Sequence, residues 1–213
     1  MRAAIGLQQP LSGSVETGLR RAQIGILFQD DALLPWKTVL DNVAVGPRFR
    51  GVPRDEAHAE ARDWLRRVGL AQFEDRHPHQ LSGGMRKRVA LAQSLINDPA
   101  ILLMDEPFSA LDVQTRSIMS NELLALWDQS RPSVVFVTHD LEEAIALADR
   151  VVVMTAGPGT VKQVYDIDLP RPRPVPEIRF DPRFIEIYEE IWNTLRDEVR
   201  RAYARMAGTS IAA

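Results

Sequence analysis

A run of four apolar residues that ends directly in two carboxylates constrains the fold of this chain more than any other feature. The run is Ile101–Met104, and Asp105 and Glu106 follow it at once. A short, continuous apolar run is typical of a strand buried in a parallel sheet, and the acidic pair predicts that this strand ends in a polar cleft. Two interpretations of the pair stay open: it caps a helix, or one carboxylate binds Mg²⁺ while the other orients or deprotonates a water molecule.

Other apolar runs alternate with helical patterns along the chain. The expected buried strands and strand-like runs are Ile24–Phe28, Ile101–Met104, Ser133–Val137, Val151–Met154 and Thr160–Ile167. Helices are expected over 54–68, from Ser82 onward, over 113–129, over 141–148 and from Pro182 onward. This alternation predicts an α/β fold with a sheet of parallel strands, in which ligands bind at the carboxyl ends of the strands.

The composition excludes several classes of protein. The chain has no cysteine, which excludes disulfides, cysteine-ligated zinc and cysteine nucleophiles. Its net charge of −3 argues against a general nucleic-acid binder. The apolar stretches are far shorter than the roughly 20 residues of a membrane-spanning helix. The segment Met1–Gly6 has no secretory pattern, so we expect a chain in the cytosol or held at a membrane by a partner.

A serine and two glycines stand where the second helix should begin. Ser82 can cap the helix, while Gly83 and Gly84 allow a phosphate to approach the exposed backbone N–H groups. A simple helix cap and a phosphate site are both open. Gln29 and His139 each follow a predicted strand and could reach a metal, a water or a phosphate, but as single residues they indicate no function.

Taken together and in order, these residues form a pattern that resembles the ATPase subunit of ABC transporters. Gln29 matches the Q-loop, and Leu81–Met85 matches the signature motif. Ile101–Glu106 matches Walker B, Ser109–Asp112 the D-loop, and His139 the switch histidine. The resemblance covers nearly the whole chain.

The resemblance implies ATP and Mg²⁺ as cofactors and assigns roles to the matched residues. The implied catalytic residues are Glu106, which polarises the attacking water, His139, which contacts the γ-phosphate, and Gln29. Mg²⁺ is implied at Gln29 and Asp105. The residues implied to contact the nucleotide are Ser82, Gly83, Gly84, Asp105 and Asp112; the serine and glycines act on the ATP of the opposite subunit, and Asp112 lies at the dimer seam.

The implied fold is a P-loop NTPase core of the ABC type with an inserted helical subdomain at roughly 40–97. The ATPase domain is expected over 1–167, shortened at its N-terminus relative to the family. Residues 168–213 are expected to form a proline-rich linker, interpreted as a plain spacer, and a C-terminal amphipathic helix. The expected apolar side of that helix comprises Phe184, Tyr188, Ile191, Trp192, Leu195 and Val199.

Details of the sequence are similar to importers for nitrate, sulfonate, taurine and related small molecules. Leu33–Val39 with Asp41–Val43 carries that similarity, and so do the Pro-Arg tail and the helix containing Trp192. Two residues depart from the family pattern: His77 stands where an aromatic is common, and Gln93 where an arginine is common.

The subfamily implies several partners and a place in the cell. They are an integral-membrane permease, a second ATPase subunit in a homo- or heterodimer and, indirectly, a periplasmic or extracellular solute-binding protein, with no nucleic acid. The chain is then peripheral at the cytoplasmic face of the membrane. A non-transport ABC ATPase is the alternative, disfavoured by the weakly acidic charge.

The phosphate-binding Walker A motif, G-x-x-x-x-G-K-[ST], is absent from this sequence. None of Lys37, Lys87 and Lys162 follows a glycine. The family position of the motif is immediately before Met1, since Met1–Leu7 resembles the helix that follows it. Three explanations stay open: the start is an internal methionine, the gene is a degraded fragment, or the chain is a non-catalytic subunit that donates its signature motif to a partner bearing the P-loop. ATPase activity of the chain alone is therefore an open question.

Overall fold

The structure is a computed structural model that describes residues 3, 5–16, 18–20 and 23–206. The chain divides into two compact units, Met1–Thr138 and His139–Ala213. This division falls earlier in the chain than the boundary that the sequence analysis placed at 167–168.

The first unit contains a sheet of three parallel strands in the order β1-β2-β3. The strands are β1 (Ile24–Leu27), β2 (Ile101–Asp105) and β3 (Ser133–Val137). Leu27 pairs with Met104, which pairs with Phe136, so the carboxyl ends of the three strands lie at the same edge of the sheet. The parallel sheet expected from the sequence is confirmed for these strands.

Burial differs across this sheet. In β2, Leu102, Leu103 and Met104 are buried, as the apolar run predicted. The expectation that β3 is a buried strand is wrong, because Val134 and Val135 are exposed. Within the described residues β3 pairs only with β2, which leaves it at the edge of the sheet.

Helices α1 (Val39–Val43), α2 (Val45–Phe49), α3 (Arg54–Arg67) and α4 (Gly83–Leu95) lie between β1 and β2, and α5 (Val113–Ser130) lies between β2 and β3. Two short 3-10 turns, Ala71–Phe73 and Pro78–Gln80, join α3 to α4. In α3, Ala57, Ala61 and Leu65 recur at helical spacing and are fully buried, which explains why this segment is a helix. Helices α1 to α4 occupy the range expected for a helical subdomain.

The second unit contains a two-stranded sheet and three helices among its described residues. They are α6 (Leu141–Leu147), β4 (Arg150–Met154), β5 (Val161–Asp166), α7 (Val175–Ile178) and α8 (Pro182–Met206). Strand β4 pairs antiparallel with β5, so the expected parallel arrangement is wrong for this strand. The physical reason is the short Gly-Pro-Gly turn at 157–159, which reverses the chain, whereas a parallel neighbour requires a long crossover.

The proline-rich segment 168–180 packs into the second unit and is not a free spacer. Leu169 and Ile178 are buried in a core with Phe184, Ile187 and Ile191 of α8. Of the expected apolar side of α8, Phe184 and Ile191 are buried in this core, and Tyr188 and Leu195 pack against it. Two residues of the expected stripe are exposed instead, namely Trp192 and Val199.

The N-terminal residues differ from the expected helix. Residues 1, 2 and 4 lie outside the described residues, while residue 3 and residues 5–8 form turns and bends. Gly6 has a φ of 69°, in the left-handed region, which interrupts a right-handed helix. No helix in the described part of the chain has the length and apolar character needed to cross a membrane.

Candidate functional site

The carboxyl edge of the parallel sheet brings together two of the predicted site segments. Asp105 is the last residue of β2 and is exposed there, and Gln29 follows the end of β1 and is also exposed. Because Leu27 of β1 pairs with Met104 of β2, the segment that carries Gln29 leaves the sheet beside Asp105. Asp105 also lines an open cavity of about 670 Å³ together with residues 8–12.

Glu106 has a backbone conformation that few side chains adopt. Its φ is 45°, in the left-handed region that favours glycine. The backbone N–H of Glu106 donates to the carbonyl oxygen of Val137 at 2.8 Å, and the Ser109 hydroxyl donates to the carbonyl oxygen of Glu106 at 3.0 Å. Strain of this kind persists only where the surroundings hold it, and it clusters at functional sites.

The turn after Glu106 is anchored by an aromatic residue. Phe108 is buried, and its ring lies 6.3 Å from that of Phe136 in the neighbouring strand. The backbone N–H of Leu111 donates to the Phe108 carbonyl at 3.1 Å, which closes the turn that leads to Asp112. Packing of Phe108 against the sheet therefore fixes the position of this turn.

Asp112 caps the N-terminus of α5. Its carboxylate accepts a hydrogen bond from the backbone N–H of Thr115 at 2.9 Å and another from the Thr115 hydroxyl at 2.7 Å. These two bonds stabilise the charged carboxylate and lower the pKa of Asp112 below its ordinary value. Asp112 is thus an ionised, solvent-exposed group at the start of a helix.

The predicted cap of α4 is confirmed. The Ser82 hydroxyl accepts a hydrogen bond from the backbone N–H of Met85 at 3.3 Å, and Gly83 and Gly84 form the first turn of the helix. A Cβ atom on Gly84 would lie 3.2 Å from the Thr115 side chain, so the first turns of α4 and α5 are in close contact. The structure therefore places the signature-like residues next to Asp112 and its cap.

Sequence reasoning missed the residues that hold the segment after β1. Arg86 of α4 donates to Asp31 at 3.0 Å, and Lys87 of α4 donates to the carbonyl oxygen of Gln29. The side chain of Lys87 is only 4% exposed. The one signal in the sequence is the basic run Arg86–Arg88 after Met85, but a position in a helix does not reveal that a lysine is buried.

His139 begins the second unit and is exposed. Asp140, the next residue, caps α6 by accepting a hydrogen bond from the backbone N–H of Glu143 at 3.1 Å, as the spacing of the two residues predicted. His139 is therefore held directly before a capped helix.

Comparison with known proteins decides the family. The sequence profile of the ABC transporter family matches residues 1–109. An uncharacterized ABC transporter ATP-binding protein of Methanocaldococcus jannaschii is 47% identical over 207 residues, which cover 95% of this chain and 76% of that protein. The chain belongs to the ABC transporter ATP-binding family.

Other relatives of this ABC ATPase have a named substrate. The taurine import ATP-binding protein TauB of Rhizobium johnstonii is 47% identical over 174 residues, covering 80% of this chain and 66% of that protein. TauB of Burkholderia pseudomallei is 45% identical over 192 residues, covering 86% and 74%.

A solved structure agrees with the fold. CbiO1 from Clostridium perfringens, described as part of the ABC transporter complex CbiONQ, superposes with a TM-score of 0.69 at 26% identity. The match covers 89% of this chain and 80% of that chain. The P-loop NTPase fold of the ABC type, expected from the sequence, is therefore confirmed.

The residues of this ABC ATPase fit the nucleotide and metal that its family binds. Mg²⁺ prefers one or two carboxylates together with phosphate oxygens, and Asp105 offers an exposed carboxylate at the sheet edge. The N–H groups in the first turn of a helix have no partner within the helix and attract anions. In α4 this turn contains Gly83 and Gly84, which have no side chain to cover the N–H groups. Both features suit a phosphate chain with its cation.

Proposed function

We propose that this ABC ATPase powers the import of a small solute such as taurine, nitrate or a sulfonate through a separate membrane permease. The observation that carries the proposal is the identity of 47% and 45% to two taurine import ATP-binding proteins, over 80% and 86% of this chain. The permease provides the path across the membrane, and this subunit binds to it at the cytoplasmic face. A solute-binding protein outside delivers the solute.

At the sheet edge, Asp105 and Gln29 would hold Mg²⁺, which would supply positive charge to neutralise the phosphates. Glu106 polarises the attacking water. Its left-handed backbone, fixed by Val137 and Ser109 directly after β2, supports this role because it holds Glu106 at the carboxyl edge of the sheet beside Asp105. His139 donates a hydrogen bond to the γ-phosphate.

A second ATPase subunit completes the site. The N–H groups at Ser82, Gly83 and Gly84 face the phosphates held by that subunit, where the N-terminus of α4 favours negative charge. Asp112 lies at the seam between the subunits. The close contact between the first turns of α4 and α5 supports this assignment, because it keeps Asp112 beside the phosphate-binding turn.

The test is solute-stimulated ATP hydrolysis by the transporter purified from its source and reconstituted into vesicles with its binding protein. We expect taurine, an alkanesulfonate or nitrate to raise ATP turnover above the basal rate. We expect Glu106→Gln to abolish turnover and to trap an ATP-bound dimer, because the amide cannot accept the proton of the water.

Asp98→Asn is the matched control for the carboxylate-to-amide change. Asp98 is an exposed residue with a φ of 48°, so the substitution alters a similar carboxylate away from the sheet edge. We expect this variant to keep the turnover of the parent. Turnover at the parent rate in Glu106→Gln contradicts the assigned role of Glu106, and failure of all three solutes contradicts the assigned substrate class.

A further inference from the structure

A buried lysine connects two motifs of the proposed site. Lys87 lies in the second turn of α4, and its side chain is 4% exposed. Burial strips an ammonium group of its hydration, and only partners inside the protein offset that cost, so the partners of a buried lysine define its role. The Lys87 Nζ atom donates to the carbonyl oxygen of Gln29 and lies 2.9 Å from a carboxylate oxygen of Asp31.

The neighbouring arginine extends this connection to the start of α4. The Arg86 Nε atom donates to the second carboxylate oxygen of Asp31 at 3.0 Å. Another nitrogen of Arg86 donates to the carbonyl oxygen of Leu81 at 2.8 Å. Leu81 directly precedes Ser82, so Asp31 is joined through one guanidinium to the cap of the helix.

A third contact fixes the strand itself. The hydroxyl of Ser94, two turns after Lys87, donates to the carbonyl oxygen of Ile26 in β1 at 3.1 Å. One side of α4 therefore holds the chain from Ile26 to Asp31. Of these contacts, only the one made by Lys87 reaches Gln29 itself.

We propose that Lys87 is a positioning residue that couples the segment after β1, which carries Gln29 and Asp31, to the Ser82–Gly84 turn, so that the two move together. This inference rests on the proposed function, in which Gln29 holds Mg²⁺ while the turn acts on the ATP of the opposite subunit. A displacement of Gln29 is then transmitted through Lys87 to α4, and so to the phosphates of the second subunit.

The mobility of the segment is tested first, in the purified full chain. Because the sequence has no cysteine, Asp30→Cys provides a single site for a nitroxide spin label next to Gln29. We expect Lys87→Met to raise the mobility of this label. Methionine has a similar length and a similar helix propensity, so α4 is retained while the charge and the donor are lost. Lys87→Arg keeps both, and we expect it to restore the immobile spectrum.

Lys162→Met is the matched control. Lys162 also pairs with a carboxylate, Glu198, at 2.8 Å, but it lies in the second unit. We expect this variant to leave the label at Asp30→Cys unchanged. A label that is equally immobile in Lys87→Met and in the parent overturns the proposal.

Hydrolysis by the reconstituted transporter is tested next. We expect Lys87→Met to lower kcat about tenfold and to change KM for ATP by less than about twofold, with recovery of kcat in Lys87→Arg. A mobile label with unchanged kcat overturns the proposal. If the parent transporter hydrolyses no ATP, the proposed function fails, and the spectra still show whether Lys87 holds the segment.

Discussion

The backbone of Gly84 lies against the side chain of Thr115, so closely that a Cβ atom on Gly84 would be 3.2 Å from the Thr115 Cγ2 atom. Thr115 has little freedom to move away, because its hydroxyl and its backbone N–H both bind the carboxylate of Asp112. The first turn of α4 is therefore fitted to the first turn of α5, and a neighbour 31 positions later in the chain disfavours any side chain at Gly84.

This contact predicts the effect of Gly84→Ala. Alanine raises helix propensity by up to about 1 kcal/mol, but its methyl group collides with Thr115, so we expect no net gain in the free energy of unfolding. In a Thr115→Ser background the colliding methyl is gone and the hydroxyl stays, so Gly84→Ala should stabilise by about 0.5–1 kcal/mol. Urea unfolding of the parent, the two single variants and the double variant measures the difference.

Gly83→Ala is the control for this cycle. A Cβ atom on Gly83 would lie 3.7 Å from Leu111, an ordinary van der Waals distance. We expect the effect of Gly83→Ala on stability to be the same in both backgrounds. An identical effect of Gly84→Ala in both backgrounds would show that Thr115 does not limit this position.

The left-handed backbone of Glu106 predicts a gain in stability together with a loss of function. Glycine adopts a φ of 45° without strain, so Glu106→Gly should raise the free energy of unfolding by about 0.5 kcal/mol while it abolishes ATP turnover by the transporter. Asp98→Gly, at a φ of 48°, should give a similar gain and retain turnover. Turnover that survives in Glu106→Gly would contradict the assignment.

The hydrogen bonds at Asp112 predict a pH dependence. The folded pKa of this carboxyl lies below its ordinary value, so its contribution to stability is present above the unfolded pKa and is lost as pH falls through the folded pKa. Thr115→Val removes the hydroxyl donor, and we expect the Asp112 pKa to move back up toward its ordinary value. Carboxyl chemical shifts measured by NMR between pH 2 and 6 follow this titration.

Asp168 is the internal reference in the same spectra. Its pKa is also lowered, by a hydrogen bond from Arg183 in the second unit. Its titration should be identical in the parent and in Thr115→Val. An Asp112 titration that does not change would mean that the backbone bonds alone account for the lowered pKa.

The buried hydrogen bonds of Arg173 predict that substitution of this residue strongly destabilises the second unit. Its side chain is 2% exposed. It donates to the carbonyl oxygens of Ile145, Ala148, Ile167 and Leu169. Each carbonyl left unsatisfied costs about 1–3 kcal/mol, so Arg173→Met should destabilise by at least about 3 kcal/mol in thermal unfolding.

Arg150→Met is the control: it removes an exposed ion pair with Asp166 and should cost less than about 1 kcal/mol. Equal costs for the two variants would contradict the role of Arg173 in the core.

The sequence alone determined the features that depend on near neighbours. The apolar run before Asp105 specified β2, and Ser82 specified the start of α4, because burial patterns and caps act within a few residues. The order of these motifs also identified the family. The roles of individual site residues stay proposals.

Only the tertiary structure decided which segments meet. Lys87 reaches Gln29 across 58 residues, and no local pattern signals that contact. The same holds for Gly84 with Thr115, for the antiparallel pairing of β4 and for the packing of the proline-rich segment. Local patterns set which face of an element is apolar, whereas burial and pairing depend on the surface that another part of the chain brings to it.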